Sequence, residues 1–224
     1  LMRPSTENIK TPIELLALAR SQSKLQQVES MTMFKAMEAF VKTGLAKKEV
    51  KIFINSIANQ SMTQEESREF EKRYREYMKR MVIEFTEDEH AEKDKLKKKE
   101  KIIQGWGAQI ALDDFGEGYS NDSRLLKLEP DYVKIDYSLI TGIHQDARKK
   151  SLVKNILRFT KPHGIKVVAE GIECSEELRE LIYQGVDYIQ GYYTGRPSYR
   201  PGVIPEEIKR EIQNFAKDVR KTGL

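Results

Sequence analysis

Two aspartates stand side by side in ALDDFGEGYSND, residues 111–122, behind a short apolar run and ahead of a glycine-punctuated stretch. Adjacent carboxylates repel, so the pair calls for a cation in the same space. Polar groups recur at comparable places along the chain: Asn55 late in KIFINSI, Glu84 late in MVIEF, Lys134 late in YVKI, Glu170 at the end of IKVVAE, Gln190 late in DYIQG. Carboxylates and an amide oxygen form a hard donor set, which suits Mg²⁺ or Mn²⁺. Two such ions joined by a bridging carboxylate activate water and stabilise the leaving oxygen of an in-line phosphoryl displacement. Alone, an Asp-Asp pair reads as a turn or a helix cap; it reads as metal-binding here because the other strand ends agree with it. Lys134 is the one cation in the set. It either orients the attacking water and neutralises phosphate charge, or forms a salt bridge with a neighbour such as Asp136. His90, His144 and His163 lie far apart and make no HExxH pair, so a zinc site built on histidine or cysteine is not expected.

The elements that must carry these groups follow from the hydrophobic pattern. Short β-branched or apolar runs at 51–57, 81–85, 109–113, 132–135, 165–170 and 187–191 read as strands. Helical stretches lie between them: from about Glu65 to Lys79, up to Lys101, at 146–161 and at 176–184. Ahead of the first strand, Thr11-Pro12-Ile13-Glu14 reads as a capping box with proline at the first helical position, and a second helix runs from about Lys24 to a stop at Gly44. Strands alternating with helices predict a parallel sheet with crossover helices. In a closed parallel barrel every strand ends at the same rim, so a polar residue late in each strand becomes one constellation.

Composition bounds the reading. A third of the 224 residues are charged, 39% are hydrophobic, and the net charge is only +4. That balance is a globular one and does not argue for nucleic acid or an anionic membrane. No apolar run approaches membrane-spanning length. Cys174 is the single cysteine, which suits a reducing compartment, so a cytoplasmic location is expected. The lysine-rich EKDKLKKKEK, residues 92–101, interleaves acidic residues at helical spacing and reads as a solvated helix face, not as an RNA contact. Trp106, Tyr192 and Tyr193 could stack on a planar ligand, though packing is the commoner use of such rings.

These residues carry a family resemblance. FINS at 53–56, IEFTE at 83–87, LDDFGEGYS at 112–120, VKID at 133–136, VVAEGIE at 167–173 and QGYY at 190–193 resemble, in order and spacing, the motifs of the EAL domain, the bacterial phosphodiesterase module for cyclic di-GMP. The resemblance runs from about residue 51 to Pro197 and is looser over 1–45. It implies a TIM-like (β/α)8 barrel of the EAL type, with an atypical antiparallel first strand, formed as a single domain over 1–224: a barrel core to about 200 and a C-terminal helical extension over 201–224. It implies hydrolysis of cyclic di-GMP to linear pGpG with two ions of Mg²⁺ or Mn²⁺. Residue by residue, Asn55, Glu84, Asp113, Asp114 and Glu170 resemble the metal ligands, and Lys134 the residue that holds the catalytic water. Glu87 and Glu173 resemble supports for the loop after the Asp-Asp pair and for the metal surroundings. Gln190 resembles a residue near the water and metal, and Arg3 the arginine that contacts substrate phosphate. Leu1 matches the last residue of the Glu-Ala-Leu name motif. The glutamate, the alanine and the first barrel strand are therefore expected upstream, and the chain reads as a piece of a longer one. Glu117 stands where the family often has threonine or serine, and Cys174 where threonine is common.

The alternative function is a non-catalytic cyclic di-GMP receptor using the same mouth; a different barrel hydrolase is weaker. A homodimer is expected from the resemblance, with the leucines Leu125, Leu126 and Leu128 after the Asp-Asp pair as its apolar edge. Their ordinary alternative is to face the barrel.

Overall fold

The computed structural model describes residues 9–85, 93–116, 125, 128–198 and 202–222. Arg3 and Glu87 lie outside them, as does most of 116–128. The chain forms two compact units, Leu1–Ala111 and Leu112–Leu224.

The first unit opens with helix α1 (Pro12–Ser21), and the expected capping box is present: the Glu14 amide donates to Thr11 Oγ1, and the Thr11 amide to the Glu14 carboxylate, both at 3.2 Å. Helix α2 (Leu25–Lys42) buries Met33, Met37 and Phe40, a helical spacing that makes one face. Strand β1 (Ile52–Ser56) and strand β2 (Met81–Phe85) pair in parallel, with Asn55 opposite Glu84. Between them lie helix α3 (Gln64–Tyr74) and a 3-10 segment, Arg75–Arg80. The helix thus ends earlier than the expected Lys79. Its start carries a second capping box, Thr63 with Glu66, which the sequence reading missed. Helix α4 (Lys93–Gly105) leads to strand β3 (Gln109–Phe115). Phe70, fully buried, meets Phe34 edge-on at 5.2 Å and Trp106 at 5.4 Å, while the Trp106 indole donates to Glu71 at 2.8 Å. Trp106 is thereby a packing residue.

The second unit begins within β3. Strands β3, β4 (Tyr132–Ile135), β5 (Lys166–Ala169) and β6 (Tyr188–Ile189) lie in chain order, and β4, β5 and β6 pair in parallel. Their helices are α5 (Tyr137–Ile140), α6 (Ala147–Thr160) and α7 (Ser175–Gln184), and α8 (Glu206–Thr222) packs on α7. Asp146 caps α6, accepting from the Arg148 amide at 2.8 Å. Ile135, Val153, Val167, Ile172, Leu178 and Leu181 build the core, all of them fully buried. Leu125 and Leu128 are buried too, as the barrel-facing alternative expects, so neither offers an open dimer edge. Both units have the alternating strand–helix order of the α/β class.

Four strands differ in length from expectation; β1 and β5 are each trimmed by a residue at both ends. β6 is two residues long, and β3 continues to Phe115, so both aspartates lie inside the strand and not at its end. Among the described residues, no helix is long and apolar enough to cross a membrane.

Candidate functional site

A regular strand turns successive side chains to opposite faces, so Asp113 and Asp114 cannot both face one site from an undistorted β3. The distortion is at Asp114, whose φ is +54°. Aspartate tolerates this left-handed conformation better than most residues. The consequence is a cluster: one carboxylate oxygen from each of Asp113, Asp114 and Glu170 lies within 4.8 Å of the others.

Lys134 reaches this cluster from the adjacent strand β4. Its ammonium donates to Asp113 Oδ1 at 2.7 Å and pairs with Glu170 Oε1 at 2.8 Å. The sequence offered Asp136 as the salt-bridge partner; instead Asp136 accepts from the Ser138 amide at 2.9 Å and caps α5. Asp113 and Lys134 are 7% and 5% exposed, whereas Asp114 and Glu170 are half-buried. Within this cluster the carboxylates outnumber the ammonium by three to one. At low local dielectric such an excess is costly, and a divalent cation offsets it. The all-oxygen donor set fits a hard cation of the Mg²⁺, Mn²⁺ or Ca²⁺ kind.

Backbone register places the rest. Ala169 pairs with Ile135 and with Ile189, so Glu170 and Gln190 follow at the ends of neighbouring strands. The Gln190 amide donates to Ala169 O at 2.8 Å. A cleft of about 470 Å³ opens here, lined by Asp114, Glu170, Glu173, Gln190, Tyr137 and Tyr192 among others. Two glycines make its floor possible. Gly171 has φ +74°, and a side chain on it would run into Tyr137; one on Gly191 would overlap the Ile172 backbone. Tyr192 is 54% exposed, with the Arg196 guanidinium 4.5 Å from its ring centroid. Tyr193 instead donates its hydroxyl to Glu211 at 2.8 Å, against α8.

The second unit therefore brings together Asp113, Asp114, Lys134, Glu170, Glu173 and Gln190. In the first unit, Asn55 and Glu84 are register partners on parallel strands; Glu84 is buried and Asn55 exposed. What the sequence reading missed nearby is Glu29. Its carboxylate accepts from the Ser56 hydroxyl at 2.7 Å and the Ile57 amide at 2.8 Å, and so holds the backbone just after Asn55. Lys99 joins it at 2.7 Å. A lysine in a run of lysines carries no local sign of burial.

Known proteins resemble this chain in sequence and in fold. It is 37% identical over 118 residues to "Probable cyclic di-GMP phosphodiesterase PdeG" of Escherichia coli, covering 52% of this chain and 23% of that one. It is 41% identical over 96 residues to "Cyclic di-GMP phosphodiesterase PdeF" of the same organism, covering 42% and 13%. The chain thus spans about a quarter or less of the length of these relatives. Among solved structures, a standalone EAL protein of Vibrio cholerae in its c-di-GMP-bound form superposes with a TM-score of 0.77 at 29% identity, covering 87% of this chain and 84% of that one. The manganese and cyclic di-GMP complex of Klebsiella pneumoniae BlrP1 gives 0.70 at 26%, covering 84% and 48%. The likeness to these structures makes the fold an α/β, barrel-like one. The EAL domain model matches residues 2–197, and the chain belongs to the EAL domain family.

Proposed function

We propose that this chain is a metal-dependent phosphodiesterase module that hydrolyses cyclic di-GMP to linear pGpG in bacterial second-messenger signalling. The observation that carries the proposal is the cluster of Asp113, Asp114 and Glu170 around the buried Lys134 ammonium, beside an open cleft. In this reading these carboxylates hold two divalent ions, Mg²⁺ or Mn²⁺, with Asn55 and Glu84 as the further oxygen ligands that the family resemblance adds. Bound there, such ions supply Lewis acidity and a nucleophilic water at neutral pH.

The chain's own residues do the rest. Lys134, fixed by two carboxylates, holds a positive charge where the phosphodiester acquires negative charge, and orients the water that attacks phosphorus. One P–O bond forms to the water oxygen and the P–O bond to the ribose 3′ carbon's oxygen breaks; the water's proton balances the released hydroxyl. Glu170 and Asp113 keep the lysine aimed. Gln190 and Glu173 face the substrate from the cleft wall, and the exposed Tyr192 ring offers a face to a guanine base. Arg3 is the proposed phosphate contact and Glu87 the proposed loop support. The reading also takes the module to be cytoplasmic and to act as a homodimer, through a surface other than Leu125 and Leu128.

The test is product analysis. Purified protein with cyclic di-GMP and Mn²⁺ or Mg²⁺ is expected to yield pGpG, excess chelator to stop it, and either ion to restore it. Calcium is expected to bind and support little turnover, being larger and less strict in geometry. Tight binding of cyclic di-GMP with no product at saturating metal would overturn the enzyme in favour of a receptor.

A further inference from the structure

A second group of ligand-type side chains assembles in the second unit. His144 lies on the 3-10 turn Ile143–Gln145, Cys174 precedes α7, and Glu177 sits in the first turn of α7. One ligand atom from each lies within 4.8 Å of the other two. The three come from two loops, and Glu177 ties those loops together. Its Oε1 accepts from the Gly142 amide at 2.7 Å, beside His144, and its Oε2 from the Glu173 amide at 2.9 Å, beside Cys174. Glu177 is only 3% exposed, and Ile143 is fully buried, so the His144 turn is anchored.

The imidazole shows what is missing. Nε2 of His144 lies 2.7 Å from the Gln145 amide nitrogen, while Nδ1 is buried and has no hydrogen-bond partner. Neutral imidazole with Nε2 accepting must carry its proton on Nδ1, a donor with nothing to receive it. Turning the Gln145 amide reverses this: Oε1 accepts from Nε2–H, and Nδ1 presents a lone pair. That pattern, one ring nitrogen donating to a carbonyl-type oxygen and the other left as a ligand, is the usual one for metal-bound histidine. Cys174 occupies the N-cap position of α7. Burial pushes its thiol up, opposed by the Glu177 backbone amide and helped by the hydrogen bond with the Glu176 carboxylate.

We propose that His144 Nδ1, Cys174 Sγ and Glu177 bind one zinc-type divalent cation, at a site distinct from the all-oxygen cluster of Asp113, Asp114 and Glu170. Nitrogen, thiolate and carboxylate are the zinc donor set, and thiolate selects zinc over magnesium. Thiolate and carboxylate together neutralise the ion, and the thiol proton is released on binding. Tetrahedral zinc with bonds of about 2.0–2.3 Å sets its ligand atoms roughly 3.3–3.5 Å apart, so the group, now within 4.8 Å, closes by up to about 1.5 Å. Water or Glu176 completes the fourth position. Occupancy would lock the loop that carries Glu173 to the cleft.

Cobalt(II) is the probe. Metal-free protein titrated with Co²⁺ is expected to develop a thiolate-to-cobalt charge-transfer band that saturates at one equivalent. Zn²⁺ should displace it, and Mg²⁺ in large excess should not. The oxygen cluster has no sulfur and gives no such band, so this readout is independent of hydrolysis. His144→Ala should weaken cobalt binding about tenfold or more, with His144→Gln as a second variant should the first fail to fold. No band in the wild type overturns the proposal. So does a titration unchanged in the folded His144 variant, which would mean a thiol binding metal by itself.

Discussion

Two buried lysines, one in each unit, show what separates a structural ion pair from a reactive one. Lys99 in the first unit and Lys134 in the second both meet a carboxylate at 2.7 Å, and both are nearly inaccessible. Lys99 is closed off. Its ammonium donates to Glu29, to Ile57 O at 2.8 Å and to Gln60 O at 2.6 Å, and the Glu29 oxygens are also taken up by Ser56 and Ile57. One positive charge meets one negative; the pair lines a void of about 20 Å³, with room for roughly one water, and Glu29 also lines a cavity of about 310 Å³ beside Asn55. Lys134 faces two carboxylates with a third close by, and its partner Glu170 lines a cleft of about 470 Å³. Burial and distance are the same in the two places. The carboxylates differ: Lys99 pairs with one and Lys134 with two, and that difference marks the site.

The comparison breaks first at Lys99. Lys99→Met strands the Glu29 carboxylate in the core, and the expected cost is about 3–5 kcal/mol in denaturant unfolding. That loss should be the same with metal as with chelator. Replacing both partners, Lys99→Met with Glu29→Leu, should recover only part of it: the stranded charge is gone, but the Ser56 hydroxyl, the Ile57 amide and the Ile57 and Gln60 carbonyls lose their partners.

Lys134→Ala should read differently. Turnover is expected to fall roughly 10²–10³-fold, the scale for losing one preorganised charge at a reacting centre, with substrate affinity largely kept. Its stability loss should shrink when Mn²⁺ is added, since the cation offsets the exposed carboxylate excess. A stability loss indifferent to metal would put Lys134 in the same class as Lys99.

Tyr132 sharpens the contrast through a group that is buried but uncharged. Burial, then the neighbouring Tyr188, Asp131 and Asp187, push its phenol up to about 12 from 10. Between those values the unfolded phenol loses its proton first and the native state holds more protons. Stability present below pH 10 is therefore lost as pH rises toward 12, by at most about 1.4 kcal/mol per pH unit. Tyr132→Phe should flatten that part of the alkaline profile while leaving stability near neutrality close to wild type. Equal slopes in the two proteins would place the alkaline loss elsewhere.

Much of the site is legible in the order of residues along the chain. In a parallel sheet, position along the strand is position relative to the rim, so late polar residues such as Lys134, Glu170 and Gln190 can be grouped from one dimension. The pairing itself is less legible. The nearest carboxylate in sequence, Asp136, is the natural partner for Lys134, yet it turns to cap α5 while Asp113 and Glu170 arrive from other strands. EKDKLKKKEK reads as a solvated face, and nothing local distinguishes Lys99 within it from its exposed neighbours. Its partner Glu29 is 70 residues away. The metal-type group at His144 is hidden for the same reason: Cys174 and Glu177 share one helix start, but His144 comes from a separate turn at no fixed spacing from them.

Sequence alone determined the strand–helix alternation, the Thr11–Glu14 capping box and the donor chemistry, because periodicity, capping and ligand hardness depend on residue type and on neighbours a few positions away. Tertiary structure decided which charges share a volume. It twisted Asp114 into a left-handed conformation so that consecutive aspartates reach one cluster, closed Lys99 against Glu29, and drew His144 to Cys174. Those outcomes turn on distances between segments remote in the chain, and Coulomb energy and coordination depend on distance in space, not on separation in sequence.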